Sequence, residues 1–200
     1  MRLDFRLLEG YKRRALYTFV WGFAAMLLIG LAADLTHRPY IFPSLGPSAI
    51  MLFGHPLRRE SSPKHTILGH GAGALSGYFA LAVMGLLGVP FSTHIGTPRI
   101  IAAAIALGLT CAITILLRAE HAPAGATTLI VALGILPNPI DFVFLMSAVV
   151  MLVILALVVN RVFAIEYPLW KAPNWVHHHD AELLKKVARR SRLSAALRRS

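Results

Sequence analysis

Acidic residues are scarce in this chain: nine Asp and Glu stand against 20 Lys and Arg in 200 residues. No paired carboxylates, metal-ligand cluster or nucleophile–base pair falls within the apolar segments, so the sequence argues against an enzyme, and no cofactor is expected. Cysteine is scarcer still. Cys111 stands alone inside an apolar run, which excludes an intrachain disulfide and a CxxC redox or zinc site. His177-His178-His179 resembles a metal tract, but three consecutive histidines cannot share one helix face, and no other ligand is spaced with them. No small-residue cleavage pattern follows the first apolar run, so no cleavable signal peptide is expected.

Charge of any sign is also thin. Charged residues make up 14% of the chain and hydrophobic ones 56%, where an ordinary soluble domain is roughly 25% charged. Apart from Asp141 at the start of the fourth, what charge there is lies outside four long apolar runs: Ala15–Ala33, Ile67–Val89, Ile100–Leu117 and Ile140–Val159. About 20 apolar residues cross the hydrocarbon core as a helix. The chain therefore reads as all-α: a polytopic membrane helix bundle in contact with the lipid bilayer. Its net charge of +11 reflects tails beside anionic lipid rather than a nucleic-acid partner. The division is a basic N-terminus (1–14), a membrane domain (15–165) and a basic tail (166–200). In the tail, Tyr167, Trp170 and Trp175 suit the membrane boundary, and 180–200 reads as a basic amphipathic surface helix.

Two short motifs lie between the long runs. Residues 121–134 pass from a kinked opening, His121 to Gly125, into the apolar run Leu129–Leu133. Residues 42–54 repeat the design: proline, glycine, hydroxyl residue, apolar run, glycine. Aligning Gly46 with Gly125 sets Ser48 on Thr127 and Ala49 on Thr128. That is an internal duplication, with repeat one at 15–89 and repeat two at 99–165. One reading of each motif is a loop leading into a buried short helix whose hydroxyls cap its first turn. The other is a helix start whose N–H groups hold an anion. On that reading the substrate-binding residues are Gly46, Ser48, Ala49, His121, Pro123, Gly125, Thr127 and Thr128. His121 would carry a coupled proton, its ordinary pKa being near ~6.5. The spans contain no Arg or Lys to grip an anion, which favours weak, transient binding.

Gly69, Gly73 and Gly77 recur at intervals of four and form a close-packing face, serving an intrachain contact or a homo-oligomer equally well. His70 sits beside them; an intramembrane histidine carries a functional reading, but near a span end a satisfied or interfacial histidine is favoured over it. Ala104 and Gly108 repeat the spacing in the third run.

Loop charge discriminates between topologies, because cytoplasmic loops carry excess Lys and Arg. With re-entrant motifs and four crossings, the 20 basic residues divide 15:5. With each motif as a broken span and six crossings, they divide 18:2, and only Arg38 and Arg99 lie outside. Six crossings therefore fit better. Both models put both termini in the cytoplasm, and the six-crossing halves have opposite orientation in the cell's inner (plasma) membrane.

The run His121-Ala122-Pro123-Ala124-Gly125-Ala126-Thr127, with Phe42-Pro43-Ser44-Leu45-Gly46-Pro47-Ser48-Ala49, resembles the HPP family of small integral membrane proteins, over roughly residues 15–165. Ala122 stands where the family motif has its first proline. The resemblance implies four transmembrane helices and a transporter; plant and cyanobacterial members are associated with nitrite movement. The functional expectation is a transporter or channel for a small inorganic anion, nitrite above others. The alternative is a structural or regulatory membrane subunit that docks lipid or a partner through its basic tail.

Overall fold

A computed structural model describes residues 10–92 and 95–172. The amphipathic tail and the His177–His179 run lie outside the described residues. Among those described, the chain forms six helices: α1 (Tyr11–Thr36), α2 (Leu45–Gly54), α3 (Pro63–Val83), α4 (Thr97–Leu116), α5 (Pro123–Ala132) and α6 (Asp141–Val162). Four of them are long and apolar enough to cross a membrane, and α2 and α5 are short apolar helices. At 1.5 Å per residue the short ones reach only ~15 Å, half the hydrocarbon core.

Local chemistry sets the boundaries. α3, α4 and α5 each have a proline in the first turn, where its missing N–H and fixed φ suit a helix start. α3 begins earlier and ends earlier than the apolar run 67–89 implied. Its stop is conformational: Gly85 and Gly88 take φ +66° and +74°, so Leu86 to Val89 remain apolar but leave the helix.

Contacts between helix ends establish the path of the chain. At one end, Tyr17 donates to Asn160 Oδ1 (2.8 Å), and Asn160 Nδ2 donates to the Leu52 carbonyl (3.2 Å). Lys64 Nζ reaches the Leu117 and Arg118 carbonyls there. Tyr167 donates to the Ser61 carbonyl at 2.6 Å, and burial pushes its hydroxyl pKa up. At the opposite end, Gly88 N–H bonds Pro137 O, Phe91 N–H bonds Gly134 O, and Tyr40 meets the ring of Phe144 edge-on. The start of α1, the ends of α2, α4 and α6 and the start of α3 thus share one end, called here the terminal end. The ends of α1, α3 and α5 and the starts of α4 and α6 share the distal end.

The chain passes between these ends six times. Four passes are long helices. Each of the other two combines non-helical backbone with a short helix. Residues 38–44 turn back along α1, and Ile41 Cδ1 lies 3.2 Å from where a Cβ on Gly30 would be. Pro39 and Pro43 lie in this stretch and contribute no N–H that would need a partner at depth. α2 completes that pass.

The offset that aligns Gly46 with Gly125 carries α2 and α3 onto α5 and α6 to within one residue at each boundary. Because α1 runs from terminal to distal end and α4 runs back, the two halves are inverted. Each half sends its third helix against the other half's short helix: α3 packs on α5 and α6 on α2.

Glycine makes these two seams unequal. A Cβ on Gly69 would stand 2.7 Å from His121 Cβ. One on Gly73 would stand 2.7 Å from the Ala124 carbonyl oxygen and 2.8 Å from Thr128 Oγ1. One on Gly77 would stand 2.7 Å from the Val131 side chain. Backbone therefore touches backbone along α3 and α5. This contact lies within the chain, so the glycine face is not available to a second copy. In α6 the same offset puts Ala148, Leu152 and Ala156 at those positions, all fully buried. Ala104 and Gly108 do not pack: both are exposed, and α4 buries Ala102, Ala106, Thr110 and Thr114 instead. The buried stripe thus keeps the spacing of four, two residues out of register with the expected pair.

Arg99 is read from sequence as a loop charge at the membrane boundary. It lies in the first turn of α4 and is buried, with Nη2 donating to the Val89 and Pro90 carbonyls. Its Nη1 sits where a Cβ on Gly134 would be, at 2.7 Å, and Gly134 has φ +83°. Gly134→Ala therefore meets both a left-handed backbone and the guanidinium. The expected cost is about 1–3 kcal/mol, seen as a lowered melting temperature in detergent.

Candidate functional site

The two motifs meet on one imidazole. His70, in α3, is fully buried. Its Nε2 lies 2.8 Å from Ser48 Oγ on α2, and its Nδ1 lies 2.6 Å from Thr127 Oγ1 on α5. Ser48 and Thr127 are the residues that the repeat alignment equates, so equivalent hydroxyls from the two halves occupy the two nitrogens of a single ring. The symmetry stops there: the α6 residue equivalent to His70 is Val149, which is buried. As an intramembrane histidine His70 is visible in the sequence, but its partners are not, because they lie 22 and 57 residues away.

His121 joins from the opening of the second motif. Its Nε2 is 3.1 Å from Ser48 Oγ, and its Nδ1 is 2.8 Å from the Glu60 carbonyl. The rings of His70 and His121 lie edge to face, 5.0 Å between centroids. Pro123 at the first turn of α5 fixes the backbone just after His121. Gly69 lets α3 pass close to His121. The close seam is thus what brings the two histidines to the same serine.

The remaining expected residues are placed as follows. Thr128 bonds Thr110 Oγ1 of α4 at 2.8 Å and the Ala124 carbonyl at 2.9 Å. It faces away from the histidines and ties α5 to α4. Ala49 is buried, and Gly46 and Gly125 are partly exposed. Neither short helix has a side-chain cap. Ser48, Thr127 and Thr128 lie a full turn inside their helices, too far along to cap them. The donors at the start of α5 are engaged: Ala124 N–H bonds His121 O and Gly125 N–H bonds Ala122 O, while Leu45 N–H at the start of α2 bonds Phe42 O. The polar centre is therefore made of side-chain hydroxyls and imidazoles, where the sequence pointed to backbone N–H groups.

Neutral side chains pair throughout this centre. A carbonyl only accepts, so His121 carries its proton on Nδ1 and presents a lone pair at Nε2. Ser48 turns its single hydrogen toward that lone pair and the Ser44 carbonyl, both 3.1 Å away, and so has none for His70. His70 then donates from Nε2 to Ser48 and accepts at Nδ1 from Thr127. In the reverse arrangement His121 Nε2 and Ser48 would oppose lone pairs. The hydrogens of the row therefore run one way: Thr127 to His70 to Ser48 to His121 to Glu60.

This motif pair lies inside a match to the family model described as HPP, transmembrane region, which covers residues 9–168. The chain belongs to the HPP family. No match is found among curated proteins or among solved structures. In this HPP protein the name-giving histidine, His121, is the outer member of the pair, 4% exposed against 0% for His70. Ala122, where the motif has proline, is exposed. The variation therefore falls on the outer side of the loop.

Proposed function

We propose that this HPP protein moves a small inorganic anion across the membrane, nitrite being the best candidate. The observation that carries the reading is the meeting of repeat-equivalent hydroxyls, Ser48 and Thr127, on buried His70 between two inverted halves. Inverted repeats with broken helices are an architecture of secondary transporters, whose sites sit at the repeat interface. Ionisable residues inside a membrane domain are costly and mark substrate or proton pathways. Ser48, Thr127 and His121 bind the anion transiently, with protonated imidazole as the positive partner. The association of plant and cyanobacterial HPP proteins with nitrite narrows the substrate. Purified protein in proteoliposomes is expected to take up nitrite faster than empty vesicles, and faster than phosphate. Uptake no faster than in empty vesicles for nitrite, nitrate, formate and chloride alike would sink the reading.

The terminal end faces the cytoplasm. Among the described residues it gathers Lys12, Arg13, Arg14, Arg58, Arg59, Lys64, Arg118, Arg161 and Lys171, whereas the distal end has Arg38 and Arg99. The positive-inside rule gives the orientation. Ser61 is fully buried and unsuited to labelling, while Arg58 is exposed. A cysteine introduced by Arg58→Cys, with Cys111→Ser, is expected to resist an impermeant maleimide in intact cells and to react after permeabilisation. Reaction in intact cells would invert the topology.

A further inference from the structure

We infer that the row Thr127–His70–Ser48–His121 is a proton relay between the centre of the bundle and the terminal end, so that the anion travels as a weak acid with its proton. The inference rests on the anion-transport reading for the source of the proton, and on hydrogen-bond geometry for everything else.

Four contacts of 2.6, 2.8, 3.1 and 2.8 Å link Thr127 Oγ1 to the Glu60 carbonyl through His70, Ser48 and His121. Three helices and the α4–α5 connection each supply a member. Ser48, His70 and Thr127 are fully buried and His121 is 4% exposed, so solvent meets the row at His121 first.

The polarity follows from the carbonyl at its end. Because Glu60 O can only accept, every donor in the neutral row points toward it. A small inorganic weak acid arriving beside Thr127 gives its proton to Thr127 Oγ1. Thr127 passes its own hydrogen to His70 Nδ1, and His70 releases the Nε2 hydrogen to Ser48 Oγ. Ser48 hands its former hydrogen to His121 Nε2. One O–H or N–H bond breaks and one forms at each stage. The acid becomes its anion, and His121 becomes the imidazolium, protonated on both nitrogens. It then releases the Nδ1 proton to water at the terminal end when its bond to the Glu60 carbonyl opens, because a carbonyl cannot take the proton on. Each passage leaves the row poled the opposite way, with His121 protonated on Nε2 and His70 on Nδ1. The hydroxyls and rings must therefore return to the first arrangement before a second proton moves in the same direction.

The surroundings of the exit are mixed in charge. The titratable groups set against His121 are His70 and His65 on α3, the former with its ring 5.0 Å away. The Glu60 carbonyl on the turn before α3 takes its Nδ1 bond. Arg59 of that turn and Glu120 of the α4–α5 connection are the sequence neighbours of Glu60 and His121. Arg59 and Glu120 lie 3.7 Å apart, and Arg59 Nε donates to His65 Nε2. From α2 only the neutral Ser48 faces it. No carboxylate in the row holds the proton back.

The test has two arms. Histidine-15N-labelled protein in nanodiscs is examined by NMR, with His70→Gln and His121→Gln assigning the signals by their loss. His70 is expected to carry hydrogen on Nε2 and His121 on Nδ1. The opposite tautomer at either ring would overturn the relay. The second arm uses proteoliposomes with an internal pH dye and a nitrite gradient, corrected for empty vesicles. His70→Gln and, independently, Ser48→Ala are expected to lower protons moved per nitrite at least tenfold. Two variants guard against misfolding of one. An unchanged ratio in a variant of wild-type melting temperature would overturn the relay. If wild-type protein moves no anion while both tautomers are as assigned, the anion reading fails and the poled row stands.

Discussion

Gly73→Leu is expected to leave no folded protein in detergent extracts. Even a Cβ at this position lies 2.7 Å from a backbone carbonyl oxygen and 2.8 Å from Thr128 Oγ1. A carbonyl in a helix cannot rotate away as a side-chain tip does. The whole α3–α5 seam must part, and with it the Gly69 contact that seats His121 and the Thr128–Thr110 bond that ties in α4. Overpacking a core typically costs about 1–3 kcal/mol. Three further carbons and the loss of the seam add to that, against a total stability of about 5–15 kcal/mol. The control is Gly108→Leu. Gly108 is exposed on α4 and a Cβ there meets nothing within 4 Å, so yield and melting temperature are expected to match wild type. A stable Gly73→Leu protein would show that α3 and α5 do not touch.

Ser48→Ala and Thr127→Val are each expected to weaken anion transport by about 10- to 150-fold while the protein stays folded. Each removes one hydroxyl from His70. A hydrogen bond to a charged partner contributes about 1.5–3 kcal/mol, which sets that range. The cost in stability is smaller, because an interhelical hydrogen bond in a membrane protein is worth about 0.6 kcal/mol on average, and ~1.7 at most. Thr128→Val serves as the comparison. It loses the Thr110 bond but touches neither histidine, so it is expected to lower stability slightly and to leave the concentration dependence of flux unchanged. Normal concentration dependence in Ser48→Ala and Thr127→Val, with a lowered melting temperature, would make these hydroxyls structural only.

The membrane class, the four long helices and the two short ones were legible because lipid imposes length and apolarity on every crossing. The repeat was legible from proline, glycine and hydroxyl spacing, since backbone constraints act locally. The pairing of His70 with Ser48 and Thr127 was not, because it depends on which helices become neighbours. The glycine face announced a close approach on α3 without naming α5 as its partner. Arg99 was misplaced for a related reason. In sequence it lies beside a loop with two prolines, and only the return of Val89, Pro90 and Gly134 in space surrounds it. Capping failed as an expectation because the helices begin earlier than the hydroxyls, at Leu45 and Pro123.

The unequal seams limit how this molecule can change shape. A transporter made of two inverted halves has a simple route to its second state: each half adopts the other's conformation, and access moves to the other face. That exchange requires α6 to approach α2 as closely as α3 approaches α5. Leu152 stands where Gly73 would be needed, with Ala148 and Ala156 beside it, so α6 is held off by its side chains. The exchanged state is sterically closed. On the transport reading proposed above, alternation would have to keep α3, α4 and α5 together as one wall, with α1, α2 and α6 moving against it.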